Sequence, residues 1–134
     1  MGYTHYLKTA HPNQGLIPMD RWEKIKIATI CAIVESRVPI SDLILNDSNI
    51  VFNGVGDGAH ETFVVSRKVQ DFDFCKTARK PYDQIVCMVL AYMLLVIPEL
   101  VDITSDGVMT GPEAERNWNS AHVWAELYRA SLED

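Results

Sequence analysis

Residues 81–97 read PYDQIVCMVLAYMLLVI, and their interpretation sets the architecture of the whole chain. The apolar run within them, 85–97, has 13 residues, whereas a membrane-spanning helix needs about 20. Pro81 suits the first turn of a helix, and the carboxylate of Asp83 complements the positive end of the helix dipole. Pro98 ends the pattern. The stretch therefore predicts a helix that is buried on most of its circumference.

The flanking segments show strand and helix patterns in turn. Residues 3–7 alternate aromatic and polar types, which predicts a short strand, and the apolar spacing in 19–37 predicts a helix. Residues 50–52 and 61–66 predict the two strands of a hairpin, and 101–104 predict a further strand. The sequence Thr110-Gly111-Pro112-Glu113 predicts the start of a last helix. Three remaining segments are a loop at 11–15, an ambiguous stretch at 40–49 and an irregular polar segment at 71–80.

This order of elements matches the β-α-β-β-α-β unit of ferredoxin-like folds, followed by one more helix. In that unit both helices cover one face of an antiparallel sheet. No internal repeat, linker or low-complexity segment interrupts the sequence. We therefore predict a single α+β domain over 1–134, a ferredoxin-like sandwich with an added C-terminal helix.

The charge of the chain restricts its partners. The 134 residues have a net charge of −6, which disfavours general binding to duplex nucleic acid or to an anionic membrane surface, since both require a basic face. Residues 1–98 carry ten acidic and ten basic side chains, and 99–134 carry eight and two, so the acidity belongs to the C-terminal part. Cys31 and Cys87 lie in apolar runs, and no signal peptide is recognisable, which together predict a reducing cytoplasm.

The segment 67–80 has the opposite charge balance. It contains Arg67, Lys68, Lys76, Arg79 and Lys80 against two aspartates. Because it leads into the predicted helix start, the dipole and the free N–H groups favour a site for a phosphate or carboxylate group. The candidate ligand-binding residues are Asn53, Gly54, Gly56, Lys76, Thr77, Arg79, Lys80 and Tyr82. The alternative is a solvated loop whose charges pair with nearby carboxylates.

Gly54, Gly56 and Gly58 form a second feature. Alternate glycines let a backbone approach a ligand closely, or they make a bulged hairpin turn. The run leads into a strand, so it is not a dinucleotide fingerprint, and it lacks the lysine of a P-loop. Both interpretations stay open at this point.

The pair His60-Glu61 is the third feature. His60 could act as a general acid or base near neutral pH, with Glu61 beside it and His5 as a second imidazole. Adjacent residues on a strand point to opposite faces, so the pair need not cooperate. No third ligand and no metal-binding spacing accompanies the histidines, so we expect neither a metal nor another cofactor. Cys75, next to Lys76, is either an activated thiol or, as we prefer, a buried one.

Three segments have unusual sequences: MGYTHY at 1–6, FNGVGDGAHETF at 52–63 and FDFCKTARKPYD at 72–83, together under a quarter of the chain. They resemble a family of small bacteriophage and prophage proteins that has no established activity. The family has an aromatic residue where this chain has Leu7. The resemblance implies an accessory protein in the bacterial cytoplasm, where small phage proteins often counter host defence by capturing or degrading nucleotide signals.

Three functions are compatible with these features. The first is the binding of a small anionic, phosphorylated and nucleotide-like ligand in counter-defence, with Tyr3, Tyr6 or Tyr82 available for stacking. The second is a small hydrolase or phosphodiesterase in which His60 and His5 exchange protons. The third is the inhibition of a host defence protein through the acidic C-terminal face. We prefer binding, because the basic helix start gives a physical reason to hold an anion; the oligomeric state stays open.

Overall fold

The structure is a computed structural model that describes residues 3–11 and 15–132. Its elements in chain order are β1 (Thr4–Thr9), α1 (Met19–Ser36), β2 (Ser41–Leu45), β3 (Asn49–Asn53), β4 (Phe63–Ser66), β5 (Asp73–Lys76), α2 (Asp83–Val96), β6 (Val101–Ser105) and α3 (Arg116–Ser131). The two ends of the predicted 1–134 domain, and positions 12–14 of the predicted loop, lie outside the described residues.

The helices that the sequence predicts are present. α1 ends at Ser36, and the next residue, Arg37, has a φ of 59°, the left-handed conformation that commonly terminates helices. α2 begins at Asp83, just after Pro81. The start predicted near Thr110 is too early, because turns occupy the residues that precede α3 and the helix begins only at Arg116.

The strands form two antiparallel sheets of three strands each, ordered β5-β1-β6 and β2-β3-β4. In the first sheet Tyr6 of the central strand β1 lies opposite Phe74 of β5 and Thr104 of β6. In the second sheet Phe52 lies opposite Phe63, which confirms the hairpin of β3 and β4. The α+β class is therefore confirmed.

The ferredoxin-like arrangement is not confirmed, because two strands that the sequence pattern did not reveal change the pairing. β5 lies within the segment expected to be irregular, and it pairs with β1. β2 lies within the ambiguous segment, and it pairs with β3 in a register that shifts between Ser41 and Ile44. The predicted strands consequently divide between two sheets, with the first and last in one and the hairpin in the other.

Helix α2 forms the centre of the core. α1 and α3 both pack against it, and its residues are buried over most of its length, as its sequence predicts. Trp22 of α1 and Trp118 of α3 belong to the same apolar cluster, and both are fully buried. Within residues 3–11 and 15–132, no helix combines the length and apolarity that crossing a bilayer would require.

Candidate functional site

The start of α2 carries a buried carboxylate that four side chains contact. Asp83 is 1% exposed. It accepts hydrogen bonds from His5 Nε2 at 2.6 Å, from Thr77 Oγ1 at 2.6 Å and from Asn117 Nδ2 at 2.8 Å, and a longer one from Cys87 Sγ at 3.6 Å. Burial alone would raise the pKa of Asp83, but the hydrogen bonds, that from His5 foremost, outweigh burial and hold that pKa below its ordinary value of 3.8. Thr77, a predicted ligand-binding residue, thus holds the protein's own carboxylate.

The other ring nitrogen of His5 is also occupied. Nδ1 lies 2.8 Å from Ser105 Oγ, which accepts N–H groups from Gly107 at 3.1 Å and from the Trp118 indole at 3.2 Å. These two bonds use both lone pairs of the hydroxyl, so its proton points to Nδ1, and the ring proton lies on Nε2, facing Asp83. The serine, histidine and aspartate form a chain of the kind found in hydrolases. Here the serine oxygen has no free lone pair with which to attack a substrate.

The same cluster contains donors of types that bind transition metals. His5, Asp83 and Cys87 have ligand atoms within 4.8 Å of one another, and all three residues are buried. Burial and the neighbouring Asp83 raise the pKa of the Cys87 thiol well above 9.0, which favours the protonated form. A bound metal would itself deprotonate the thiol, and it would have to displace the hydrogen bonds that His5 and Cys87 make to Asp83. The hydrogen bonds among these residues satisfy the cluster without an ion.

The glycine run shapes the loop between β3 and β4. A Cβ at Gly54 would lie 2.0 Å from the carbonyl oxygen of Gly58, and Gly56 has a φ of 56°. Asn53 secures the loop from inside: its Oδ1 accepts the amides of Gly54 and His60, and its Nδ2 donates to the carbonyl oxygen of His60. The contacts of Asn53 therefore lie within the hairpin, and the carbonyl oxygen of Gly54 accepts from Ser41 Oγ of the neighbouring strand β2 at 2.7 Å, so both residues serve the hairpin itself.

The loop and the basic segment do meet, through Glu61 and Tyr82. Glu61 exchanges two hydrogen bonds with the backbone of Lys76, one through its amide and one through Oε1. The Tyr82 hydroxyl donates to the carbonyl oxygen of Glu61, and its ring is fully buried. Burial raises the pKa of Tyr82, and it raises the pKa of Cys75 to about 12. The expectation that Cys75 is buried is confirmed.

The candidate acid–base residues occupy different environments. His5 is 2% exposed, with both ring nitrogens bonded as described above. His60 lies on the surface, where its backbone bonds to Asn53. The carboxylate of Glu61 is bonded to the amide of Lys76. The structure provides no hydrogen bond that would couple the two histidines within the residues it describes.

A surface cleft lies where α2 and α3 begin, and it contains a strongly basic group of side chains. Its volume is about 340 Å³. Its lining consists of Arg79, Lys80, Pro81, Gln84, Arg116, Asn117 and Ser120. We call it the basic cleft. Two of the predicted ligand-binding residues lie in it, and Arg116 is a third cation that sequence reasoning missed, because the last helix was expected to begin earlier.

Positive charge reaches the basic cleft from side chains and not from the end of α2. The amides of Asp83, Gln84 and Ile85 all bond to carbonyl oxygens of the preceding turn, and the buried carboxylate of Asp83 already occupies the positive end of the dipole. The turn that presents the cations is tight, since Ala78 and Arg79 have φ values of 52° and 56°. The attraction for an anion therefore depends on the side chains of the cleft.

The three cations differ in how they are held. Arg79 pairs with Glu115, and its guanidinium lies 3.9 Å above the centre of the Tyr3 ring. In the described part of the chain, neither Lys80 nor Arg116 takes part in an ion pair. Two positive charges are thus left without a partner carboxylate in this cleft.

No protein-family model, curated protein sequence or solved structure matches this chain.

Proposed function

We propose that the protein binds a small anionic ligand, phosphorylated and nucleotide-like, in the basic cleft. The observation that carries this proposal is the convergence of Arg79, Lys80 and Arg116 on one cavity. Guanidinium groups match the geometry of phosphate oxygens, and a lysine adds a point charge. The volume of about 340 Å³ falls in the range of small-molecule sites, about 300–1,000 Å³.

The remaining lining residues add neutral hydrogen-bonding groups. Gln84, Asn117 and Ser120 supply amide and hydroxyl groups next to the cations, and such groups fix the orientation of a ligand that charge alone would only attract. Asn117 is itself held by its bond to Asp83. The buried network therefore orients one wall of the basic cleft before a ligand arrives.

Binding is favoured over hydrolysis by the composition of the same lining. Among the described residues, no His, Cys, Asp or Glu lines the basic cleft, although proton transfer needs such a group within hydrogen-bonding reach of the substrate. His5 and Glu61 are engaged elsewhere. We therefore propose a binding protein that sequesters its ligand, and we propose counter-defence in a bacterial cytoplasm as its context.

The acidic C-terminal part supports inhibition of a host protein less well. Glu99 pairs with Arg21, Glu115 pairs with Arg79, and Glu126 lies 3.6 Å from Arg129. Arg129 already counts among the two basic residues of 99–134, so Arg21 and Arg79 offset two of the six excess negative charges that the sequence shows after residue 98.

Calorimetric titration with nucleotides, cyclic nucleotides and inorganic phosphate tests the proposal. We expect at least one phosphorylated compound to bind, with an affinity that falls as salt rises. Lys80→Glu and Arg116→Glu should each abolish binding. Lys24→Glu makes the same charge change on the exposed surface of α1 and should bind as the wild type does. Normal binding by Lys80→Glu and Arg116→Glu would overturn the proposal.

Recovery of the bound compound separates binding from catalysis. The complex is heated to release its ligand, and the compound is identified by mass spectrometry. We expect it to return intact. Conversion by the wild type that is lost in His60→Ala would show instead that the protein is an enzyme.

A further inference from the structure

The open face of the first sheet presents aromatic side chains next to charged ones. Along β1 the side chains alternate, so that His5 and Leu7 point into the core, while Tyr6 and Lys8 belong to the opposite face. Their cross-strand neighbours on that face are Phe74, Thr104 and Asp102. In the part of the chain that the structure describes, no helix covers the two phenylalanines of this face: Phe72 is 61% exposed and Phe74 is 46% exposed.

The three rings form a continuous aromatic surface. The ring centres of Tyr6 and Phe72 are 6.1 Å apart, and those of Phe72 and Phe74 are 6.0 Å apart. The ring planes are inclined by 33° and 41°, so the rings are tilted and do not stack face to face on one another. Large apolar side chains exposed together in this way commonly mark an interaction site.

Hydrogen bonds hold one of these rings in place. The Tyr6 hydroxyl donates to Asp106 Oδ1 at 3.2 Å, and Asp106 Oδ2 accepts the amide of Thr4 at 3.0 Å. Asp106 thus links the hydroxyl of Tyr6 to the backbone of β1, the strand that carries Tyr6. Because the Tyr6 ring lies beside Phe72, a base that stacks on Phe72 meets a neighbouring ring that is already ordered, which lowers the entropic cost of binding.

A cavity beside Phe72 provides groups that could recognise the edge of such a ligand. Its volume is about 350 Å³, and Tyr6, Lys8, Asp102 and Thr104 are among the residues that line it. Lys8 and Asp102 are direct cross-strand neighbours, and neither is in an ion pair within 3–11 and 15–132. The cavity therefore presents a hydrogen-bond donor immediately next to an acceptor.

We propose that this face binds a guanine base, which stacks on Phe72 and bonds at its edge to Lys8 and Asp102. Guanine has an acceptor, O6, directly beside two donors, N1–H and the 2-amino group. A lysine suits O6, and a carboxylate accepts from both donors. Adenine has an amino group in place of O6, where Lys8 would meet a second donor. Stacking of bases on aromatic side chains of an open sheet is an established mode of recognition.

The site is separate from the basic cleft, since the two share no lining residue. Its ligand is a single base, because the charge of −6 disfavours long nucleic acids. The unphosphorylated nucleoside guanosine is therefore the right probe. Lys80→Glu, which tests the basic cleft, should leave guanosine binding unchanged, so the two proposals fail separately.

Calorimetric titration with guanosine, inosine and adenosine tests the site. We expect guanosine to bind more tightly than inosine, which lacks the 2-amino group, and adenosine to bind most weakly. Phe72→Ala should weaken guanosine binding about tenfold, the usual effect of removing one stacking ring. Leu127→Ala removes an equally exposed apolar side chain from α3 and should change nothing.

Asp102→Asn tests the recognition of the base edge. It should reduce the preference for guanosine over adenosine by about tenfold, since a bidentate contact supplies discrimination of that order. Circular dichroism confirms that each variant is folded. Equal affinity of the wild type for guanosine and adenosine, or guanosine binding by Phe72→Ala at wild-type strength, would overturn the proposal.

Discussion

Replacing Asp83 with alanine removes an acceptor that three side-chain N–H and O–H donors share, besides the Cys87 thiol. The three donors are His5 Nε2, Thr77 Oγ1 and Asn117 Nδ2. Each donor that is left buried without a partner costs about 1–3 kcal/mol. These contributions are not fully additive, so we expect Asp83→Ala to lower the free energy of unfolding by about 4 kcal/mol. Since the free energy of unfolding of a domain is only about 5–15 kcal/mol, the variant should fold but should be only marginally stable.

Urea unfolding followed by tryptophan fluorescence measures this loss. Trp118 is a suitable reporter because its indole bonds to Ser105, directly beside His5. Asp57→Ala removes an exposed carboxylate from the glycine loop and should change stability by less than about 0.5 kcal/mol. A loss below about 1 kcal/mol for Asp83→Ala would refute the reasoning, because it would mean that the three donors find other partners.

The acid dependence of stability gives an independent check. The pKa of Asp83 is lower in the folded chain than the ordinary value of 3.8. Its contribution to stability is therefore complete above that ordinary value, and it is lost as the pH falls through the lower, folded-state pKa. Asp83→Asn should lose less stability than the wild type across this acid range. Identical acid dependence of the two proteins would contradict the assignment.

The other predictions concern the glycine loop and the cysteines. Gly54→Ala places a Cβ 2.0 Å from the carbonyl oxygen of Gly58, so thermal unfolding should show that the protein loses about 1–3 kcal/mol of stability. Gly58→Ala, whose Cβ meets nothing closer than 3.7 Å, should lose much less stability. Equal losses by the two variants would argue against the close approach of Gly54 to Gly58. Burial raises the pKa of Cys75 to about 12 and that of Cys87 well above 9.0, and only a thiolate reacts readily. Iodoacetamide labelling read by mass spectrometry should therefore modify the half-buried Cys31 first; rapid labelling of Cys75 in the folded protein would contradict its burial.

The elements that local sequence could predict are those with a strong pattern of their own. The apolar run in α2 and the turn residues around Gly56 indicate their structures without reference to the rest of the chain. β5 has no such pattern, because its sequence places Phe74 and Cys75 side by side between Asp73 and Lys76, without the alternation of a strand, in a segment that also resembles a loop. It becomes a strand by pairing with β1, which is distant in sequence.

The residues of the candidate site likewise fall into those that a local sequence pattern reveals and those that only the fold brings together. The clustering of Arg79 and Lys80 is visible in the sequence, and both lie in the basic cleft. The bond from His5 to Asp83 spans 78 positions, and no spacing rule connects residues that far apart. Arg116 joins the cleft only because α3 begins at that residue, and boundaries of helices are the part of secondary structure that patterns define least well.

The central place of β1 in its sheet determines when the strand pairings of that sheet can form during synthesis. Its partner strands are β5 and β6, at 73–76 and 101–105, whereas β3 and β4 are close neighbours in the chain. On a ribosome that adds about 5–20 residues per second, β1 emerges before its two partner strands and then waits, with both of its hydrogen-bonding edges open, while the hairpin and α1 can form locally. Unpaired edges are the surfaces at which chains aggregate. Among the described strands, β1 thus precedes all the others in the chain but obtains its last partner only with β6, and a chain that is interrupted before β6 is the one that most needs a chaperone.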